Sequence, residues 1–341
     1  MKKMLLLELA FCAASTTLLC GQQRTSGGAA KTAGTSPYSI QFVTVEKDVK
    51  LEVLDWGGTG RALILLAELG DDAHEFDSFA PRLVASYHVY AITRRGYGAS
   101  SAPAPNCENY SSDRLGDDVL AVMNALKIDR PVLVGHSIAG EELSSIGSRY
   151  PEKVSGLVYL DAGYVYAYYN DCAAQGVWTF DASALRRELE QFSTPAPPVE
   201  KKAQAKHLLE VSLPRFERDI QEYQRQLQPL PDTAPGPPNT LAVQMNVAII
   251  KGMQIYKGVR CPVLAIFADP HTLPPQAPND PAARAAMLAE DFARTSAQAD
   301  AFQAGNPSAH VVRIANANHA VFRSNEAEVL REMNAFIATL P

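Results

Sequence analysis

The feature that constrains this chain most is the run Pro131-Val132-Leu133-Val134-Gly135-His136-Ser137-Ile138-Ala139-Gly140. Its first part is apolar at every position, the pattern of a parallel strand buried on both faces. Small residues then make a sharp turn around Ser137. Residues 141–150 follow with helical character, and Pro151 stops them. A serine on such a strand-to-helix turn has its hydroxyl lifted above the sheet and its neighbours' amides gathered near a helix N-terminus. Bulk beside it would collide with adjacent strands, so Gly135 and Gly140 suit the turn and Ala139 adds only one methyl group. The pentapeptide Gly-x-Ser-x-Ala alone is weak evidence. The apolar strand before it and the helix after it give it weight.

A serine placed this way needs neighbouring strands, and the rest of the chain supplies them. Residues 39–45 and 49–56 alternate and read as an antiparallel hairpin. Strands are expected at 61–67, 88–93, 154–160, 262–267 and 309–314, and helices at 76–86, 114–126, 281–302 and 325–338. Between 162 and 258 this alternation stops. Tyr164, Tyr166, Tyr168 and Tyr169 open that stretch, charged helical segments follow at 181–192 and 200–228, and Pro-rich breaks fall at 195–198 and 229–238. Repeated strand-helix units with one helical interruption define an α/β fold. It has a mostly parallel central sheet flanked by helices, with an inserted, mainly helical lid. The expected division is core at 38–161, lid at 162–258 and core again at 259–341.

A chain of 341 residues is long enough for one such domain with its insertion. Ahead of the core, residues 1–21 carry Lys2 and Lys3, then an apolar stretch and small residues. They read as a secretory signal peptide despite Glu8, which implies a secreted or periplasmic protein. Leu19 stands where a lipid anchor at Cys20 would want a small residue, so anchoring is not expected. Residues 22–37 are rich in Gly, Ser, Thr and Ala and read as a flexible linker. No basic run points to nucleic acid, the net charge of -6 is modest, and no stretch beyond the leader is long enough to span a membrane. In an oxidising compartment Cys107 and Cys172 can pair, and two free thiols fit equally well. Cys261 precedes a core strand and reads as a small buried hydrophobe. No Cys/His spacing marks a zinc site, and no cofactor is expected.

A neutral serine hydroxyl is a poor nucleophile without a base, and a histidine within hydrogen-bond reach serves. His319 is the best placed, in the loop after the last strand, at the edge where open parallel sheets gather their chemistry. His136 is adjacent to Ser137 in sequence, so its ring should point elsewhere and pack or orient. The third member should be a carboxylate that fixes the imidazole tautomer. Asp269 ends its strand at the right edge, and the chain order Ser137, Asp269, His319 matches the order expected for this type of turn. It is preferred because an aspartate at a strand end is often structural, which is the reading given to its rival. Asp161, which ends the strand after the elbow helix, is the alternative. An oxyanion hole needs two amides, assigned to Ile138 and to Leu69 in the loop after the 61–67 strand.

These pieces together resemble the α/β-hydrolase superfamily over about residues 39–340. The resemblance is carried by Gly135-His136-Ser137-Ile138-Ala139-Gly140, Arg95-Gly96-Tyr97-Gly98-Ala99-Ser100, Tyr150-Pro151-Glu152-Lys153-Val154 and Asn318-His319. Among relatives it is most similar to lidded esterases and proline-iminopeptidase-like members. The resemblance implies a serine hydrolase that cleaves a small carboxylic ester through an acyl-enzyme on Ser137. An elbow bearing Ser, not Asp, sets the chain apart from epoxide hydrolases and haloalkane dehalogenases. Tyr164, Tyr166 and Trp178 are expected either to line a site for a small-molecule acyl substrate or simply to pack the lid. Two departures stand out. Ala67-Glu68 replaces the family's His-Gly after the third strand, and a carboxylate there repels an oxyanion if it points inward. The acid loop Ala268-Asp269-Pro270-His271-Thr272 is compressed, which keeps Asp161 open. Two other readings remain: an aminopeptidase whose substrate amine meets Glu68, Glu141 or Glu142, and a non-catalytic binding protein on the same scaffold.

Overall fold

The computed structural model describes residues 37–169, 178–228, 231, 238–275 and 277–341. The expected leader, nearly all of the linker and Cys172 of the expected Cys107–Cys172 pair lie outside them. Eight strands are described: β1 Ser39–Glu46, β2 Val49–Gly57, β3 Ala62–Leu66, β4 His88–Ile92, β5 Val132–His136, β6 Gly156–Leu160, β7 Val263–Ala268 and β8 His310–Ile314. They form one sheet in the order β1-β2-β4-β3-β5-β6-β7-β8. The hairpin β1–β2 is antiparallel, and β2 also meets β4 antiparallel. From β4 to β8 every pairing is parallel.

β5 lies between β3 and β6, and all five of its residues are buried. Val132 and Val134 point to one face, packed with Phe76, Phe79, Leu83, Phe322 and Met333. Leu133 points to the other, with Val122, Leu143, Ile146 and Phe302. A strand covered on both faces has no use for alternation, which is why its sequence is continuously apolar.

The flanking helices are α1 Ser112–Leu126, α2 Gly140–Arg149, α7 Pro281–Gly305, the single turn α8 Val321–Ser324 and α9 Glu326–Ala338. The helix expected at 76–86 is instead two 3-10 turns, Ala73–Phe76 and Ala80–Arg82. Pro81 offers no N–H and breaks a continuous ladder there. The apolar spacing still places side chains in the core, since Phe76, Phe79 and Leu83 are buried together. Between β6 and β7 the chain forms α3 Trp178–Ser193, α4 Pro198–His207, α5 Leu213–Leu227 and α6 Leu241–Gly252, the helical insertion expected there.

The Arg95-Gly96-Tyr97-Gly98 turn joins the sheet to that insertion. Arg95 is fully buried, and its guanidinium meets the Asp118 carboxylate of α1 in two 2.6 Å hydrogen bonds. Tyr97 donates from its hydroxyl to Asn246 of α6 at 2.6 Å. Gly96 has φ +89°, and a Cβ there would lie 2.4 Å from the Met245 sulfur, so only glycine fits. The buried ion pair gives a direct test. Asp118→Ala leaves the Arg95 cation without its buried partner, a loss of about 3–5 kcal/mol. The urea midpoint should fall accordingly. An unchanged midpoint would mean that Glu46, which also touches Arg95, takes over the pairing.

Candidate active site

Ser137 follows β5 with φ +53°, in the left-handed region that side chains with a Cβ disfavour. Such strain persists where the surroundings over-determine it, and it clusters at functional positions. The surroundings here are tight. A Cβ on Gly140 would lie 2.0 Å from the Ala162 carbonyl oxygen, and one on Gly135 would lie 3.0 Å from Leu143. Ala139, by contrast, is accommodated with no exposure. Gly140 is thus the small residue that the turn cannot do without.

The carboxylate beside His319 is Asp161, and this corrects the preference for Asp269. His319 Nδ1 lies 2.6 Å from Asp161 Oδ2. Asp269 instead accepts from Ser296 of α7 at 2.7 Å and from Arg313 at 3.3 Å. Strand alternation explains its failure to reach. Val263, Ala265 and Phe267 of β7 face the cluster that holds Phe302 of α7, and Asp269 continues on that side. Asp161 escapes the alternation of β6 because its φ is +47°. It is fully buried and carries four hydrogen bonds. Oδ1 accepts from the Tyr164 hydroxyl at 2.8 Å and from the Ala268 amide at 3.0 Å. Oδ2 meets His319 and, at 2.7 Å, His271 Nε2. Burial alone would raise this carboxyl, but the hydrogen bonds from the two histidines outweigh it and hold the group well below the usual carboxylate range.

His136 turns away from Ser137, as its sequence position requires. Nδ1 lies 2.6 Å from Glu75 Oε1, and Nε2 donates to the His319 carbonyl at 3.1 Å. With both nitrogens donating, the ring is an imidazolium. Burial opposes that charge, yet the Glu75 carboxylate prevails and pushes the group up to about 9. His136 thus ties the loop that carries His319 to the residue next to Ser137. The ring centroids of His136 and His319 are 4.8 Å apart.

The loop after β3 is also fixed. The Glu68 amide donates to Glu75 Oε2 at 3.0 Å. Arg94 donates to the carbonyls of Ala67 and Glu68 at 2.9 and 3.2 Å, and grips Glu142 in two further hydrogen bonds. A trans peptide sets its N–H opposite its C=O, so this grip turns the Leu69 N–H away from Arg94. The left-handed position in the loop falls on Gly70, with φ +91°, and not on Glu68. Leu69 packs against the cluster that includes Ile138. The Glu68 carboxylate does point inward, 3.7 Å from His319 Nε2.

The same cluster contains Tyr97, Tyr110 and Leu115 with Met245, Ile249 and Met253 around α6, and Tyr166 packs on it. It is an apolar wall beside Ile138. Tyr164, expected on the substrate, has its hydroxyl engaged by Asp161 and its ring against Phe267. The Trp178 side chain lies outside the described residues, although α3 begins at that position. Glu142 is held by Arg94, and Glu141 is fully buried with Oε2 accepting from Ser112 at 2.8 Å. Sequence reasoning did not assign Glu75, His271 and Asp291. His271 follows β7 at the sheet edge where chemistry gathers, a usable signal, whereas Glu75 and Asp291 carry none.

Asp161, His271 and His319, and separately Glu68, His136 and His319, bring ligand-type atoms within 4.8 Å of one another. Both nitrogens of His136 and of His271 face carboxylates or a carbonyl, which makes these groups hydrogen-bonded relays.

An elbow serine, a histidine at the same corner and a buried carboxylate behind it define a hydrolase of the α/β class. The chain belongs to the alpha/beta hydrolase family, whose model matches residues 60–332. It is 36% identical to a fluoroacetate dehalogenase of a Burkholderia species over 107 residues, 31% of this chain and 35% of that protein. It is 32% identical over 107 residues to a serine hydrolase-like protein of Danio rerio, 31% of this chain and 32% of that protein. The chain thus spans about a third of the length of these curated relatives. A solved epoxide hydrolase of Bacillus megaterium superposes with a TM-score of 0.55 over 88% of this chain and 100% of that one, at 19% identity. At that identity the likeness is one of fold.

The buried His136–Glu75 pair carries a pH signature. The folded chain keeps the His136 proton up to about 9, whereas an unfolded chain releases it near the ordinary imidazole value of 6.5. This contribution to stability is fully present below 6.5 and fades as pH rises toward 9. In Glu75→Gln the slope of urea midpoint against pH across that window should flatten relative to wild type. An unchanged slope would mean that His136 is neutral in the folded chain.

Proposed function

We propose that this hydrolase cleaves a small carboxylic ester, with Ser137 as nucleophile, His319 as general base and then acid, and Asp161 as the orienting carboxylate. The observation that carries the reading is the 2.6 Å contact of His319 Nδ1 with Asp161, at the corner where Ser137 is held in a strained turn. His319 Nδ1 on a buried carboxylate leaves Nε2 to take the serine proton. Ser137 attacks the acyl carbon, the amides of Ile138 and Leu69 receive the oxyanion, and His319 passes the proton to the leaving alcohol. Water then reverses the sequence and frees the acid. The apolar wall of Ile138, Met245 and Ile249 favours a small apolar acyl or alcohol group. The helical insertion then serves as the lid over it. The names of the relatives include a dehalogenase and an epoxide hydrolase, and the serine at position 137 favours acyl transfer over those chemistries.

A binding protein without catalysis is the second reading, favoured by one observation: the Glu68 carboxylate stands 3.7 Å from His319 Nε2, beside the proposed oxyanion. The two readings part on short-chain aryl esters and fluorophosphonate labelling. Wild type should turn over and label, and Ser137→Ala should do neither. Asp161→Asn should lose roughly 10⁴-fold in kcat, since the wrong imidazole tautomer is then held. Asp269→Asn should stay close to wild type. Equal losses at both aspartates would reject Asp161 as the specific partner. Absence of turnover and labelling in wild type would favour the binding reading. A further expectation concerns the loop. Glu68→Gln removes the repulsion and should raise the labelling rate several-fold, on the order of 1 kcal/mol of barrier. A slower Glu68→Gln would show that the carboxylate assists instead of opposing.

A further inference from the structure

Behind the proposed triad lies a second imidazole that the ester-cleaving steps do not use. His271 sits just after β7, in the loop where the acid was expected, and reaches back to Asp161. Its Nε2 lies 2.7 Å from Asp161 Oδ2, the same oxygen that His319 Nδ1 approaches to 2.6 Å. Its Nδ1 lies 3.0 Å from Asp291 Oδ2 and 3.2 Å from Oδ1, and its own amide donates to Asp291 at 2.7 Å. A neutral ring would set a lone pair against one of these two carboxylates. Both nitrogens therefore carry protons, and the ring is a cation between two anions.

We propose that the His271–Asp291 couple is a positioning device for the triad, a half-buried imidazolium that shares one oxygen of Asp161 with His319 and thereby keeps His319 in its proton-accepting form. The proposal deepens the serine-hydrolase reading and rests on it for its activity readout. The physical argument is competition for charge. Asp161 has four hydrogen-bond donors and one negative charge, and His271 already neutralises much of that charge. A second cation on His319 would sit across the same oxygen from the first, with ring centroids 6.2 Å apart. His319 accordingly takes the serine proton for the length of the reaction and readily gives it up to the leaving group. The couple also fixes position. Asp291 projects from α7, where Arg294 also holds it at 3.0 Å, and His271 bridges it to Asp161, so the carboxylate after β6, the loop after β7 and α7 are linked through this ring.

The charged and titratable groups facing His271 are Asp161 from the end of β6, Tyr164 from the following loop at 3.4 Å, Asp291 and its partner Arg294 from α7, and His319. His319 in turn faces Asp161, Glu68, His136 and His271. Burial works against a charged His271, but its hydrogen bonds to Asp161 and Asp291 push it up to about 10. The couple is therefore charged throughout the neutral range.

The test compares wild type, His271→Gln and Asp291→Asn across pH, following both aryl ester kcat/KM and the rate of fluorophosphonate labelling. The glutamine amide can still donate to Asp161 but brings no charge. We expect its alkaline plateau to drop only a few-fold, and its acidic limb to move to higher pH by about one unit, a loss of about tenfold on that limb. Asp291→Asn should move the limb in the same direction by less, because His271 stays in place but loses the partner that keeps it charged. A merely structural role would lower activity evenly at all pH values. An acidic limb that stays put in both variants overturns the proposal. Nitrogen NMR of wild type gives a second readout that needs no activity. Two protonated ring nitrogens on His271 at neutral pH are expected, and a neutral ring overturns the proposal even if a variant fails to fold. If wild type neither turns over nor labels, the serine-hydrolase reading has failed, and the ring nitrogens still decide whether the couple is charged.

Discussion

The Asp161 carboxylate is the group on which the site depends. It is fully buried, and a buried charge is costly unless donors surround it. Four donors do so, and each comes from a different stretch of chain: Tyr164 after β6, the Ala268 amide at the end of β7, His271 after it and His319 after β8. Satisfying one carboxylate therefore assembles the carboxyl edge of three strands. The left-handed backbone at Asp161 follows from the same demand, since an ordinary strand residue would carry its side chain to the wrong face.

A second buried charge pair holds the opposite flank. His136 and Glu75 connect the elbow, the loop after β3 and the His319 carbonyl. Arg94 with Glu142 then fixes the same loop from below through the Ala67 and Glu68 carbonyls. The residues of the proposed triad thus rest on a second layer of buried polar groups. Such a network is costly when half-satisfied and rigid when complete. Rigidity is what an oxyanion hole and a general base require, because both work by being in place before charge develops.

The helical insertion adds the apolar component. α6 brings Met245, Ile249 and Met253 against Ile138 and Tyr97, and the Tyr97 hydroxyl is anchored on Asn246. The Arg-Gly-Tyr-Gly turn is attached on both sides. Arg95 is bound to the core through Asp118, and Tyr97 is bound to the insertion. This links the turn's glycines to packing as well as to backbone freedom, since a Cβ at Gly96 would strike Met245.

The amino-acid order alone determined the strand-turn-helix around Ser137, the parallel sheet with a helical interruption, and the placing of His319 after the last strand. Each of these is written in local signals: a doubly buried apolar run, alternation, a proline stop, and small residues at a crowded turn. It did not determine which aspartate meets His319. Asp161 and Asp269 both end strands, and their local sequence is equivalent for that purpose. The choice was made by a backbone torsion at Asp161 and by the face on which Asp269 emerges toward Ser296, both properties of the assembled sheet. The same holds for Glu75, His271 and Asp291. His271 is at least placed after a strand at the sheet edge where chemistry gathers, but Glu75 and Asp291 are ordinary polar residues in their own segments, and all three become part of the site only when the fold brings another charged group against them.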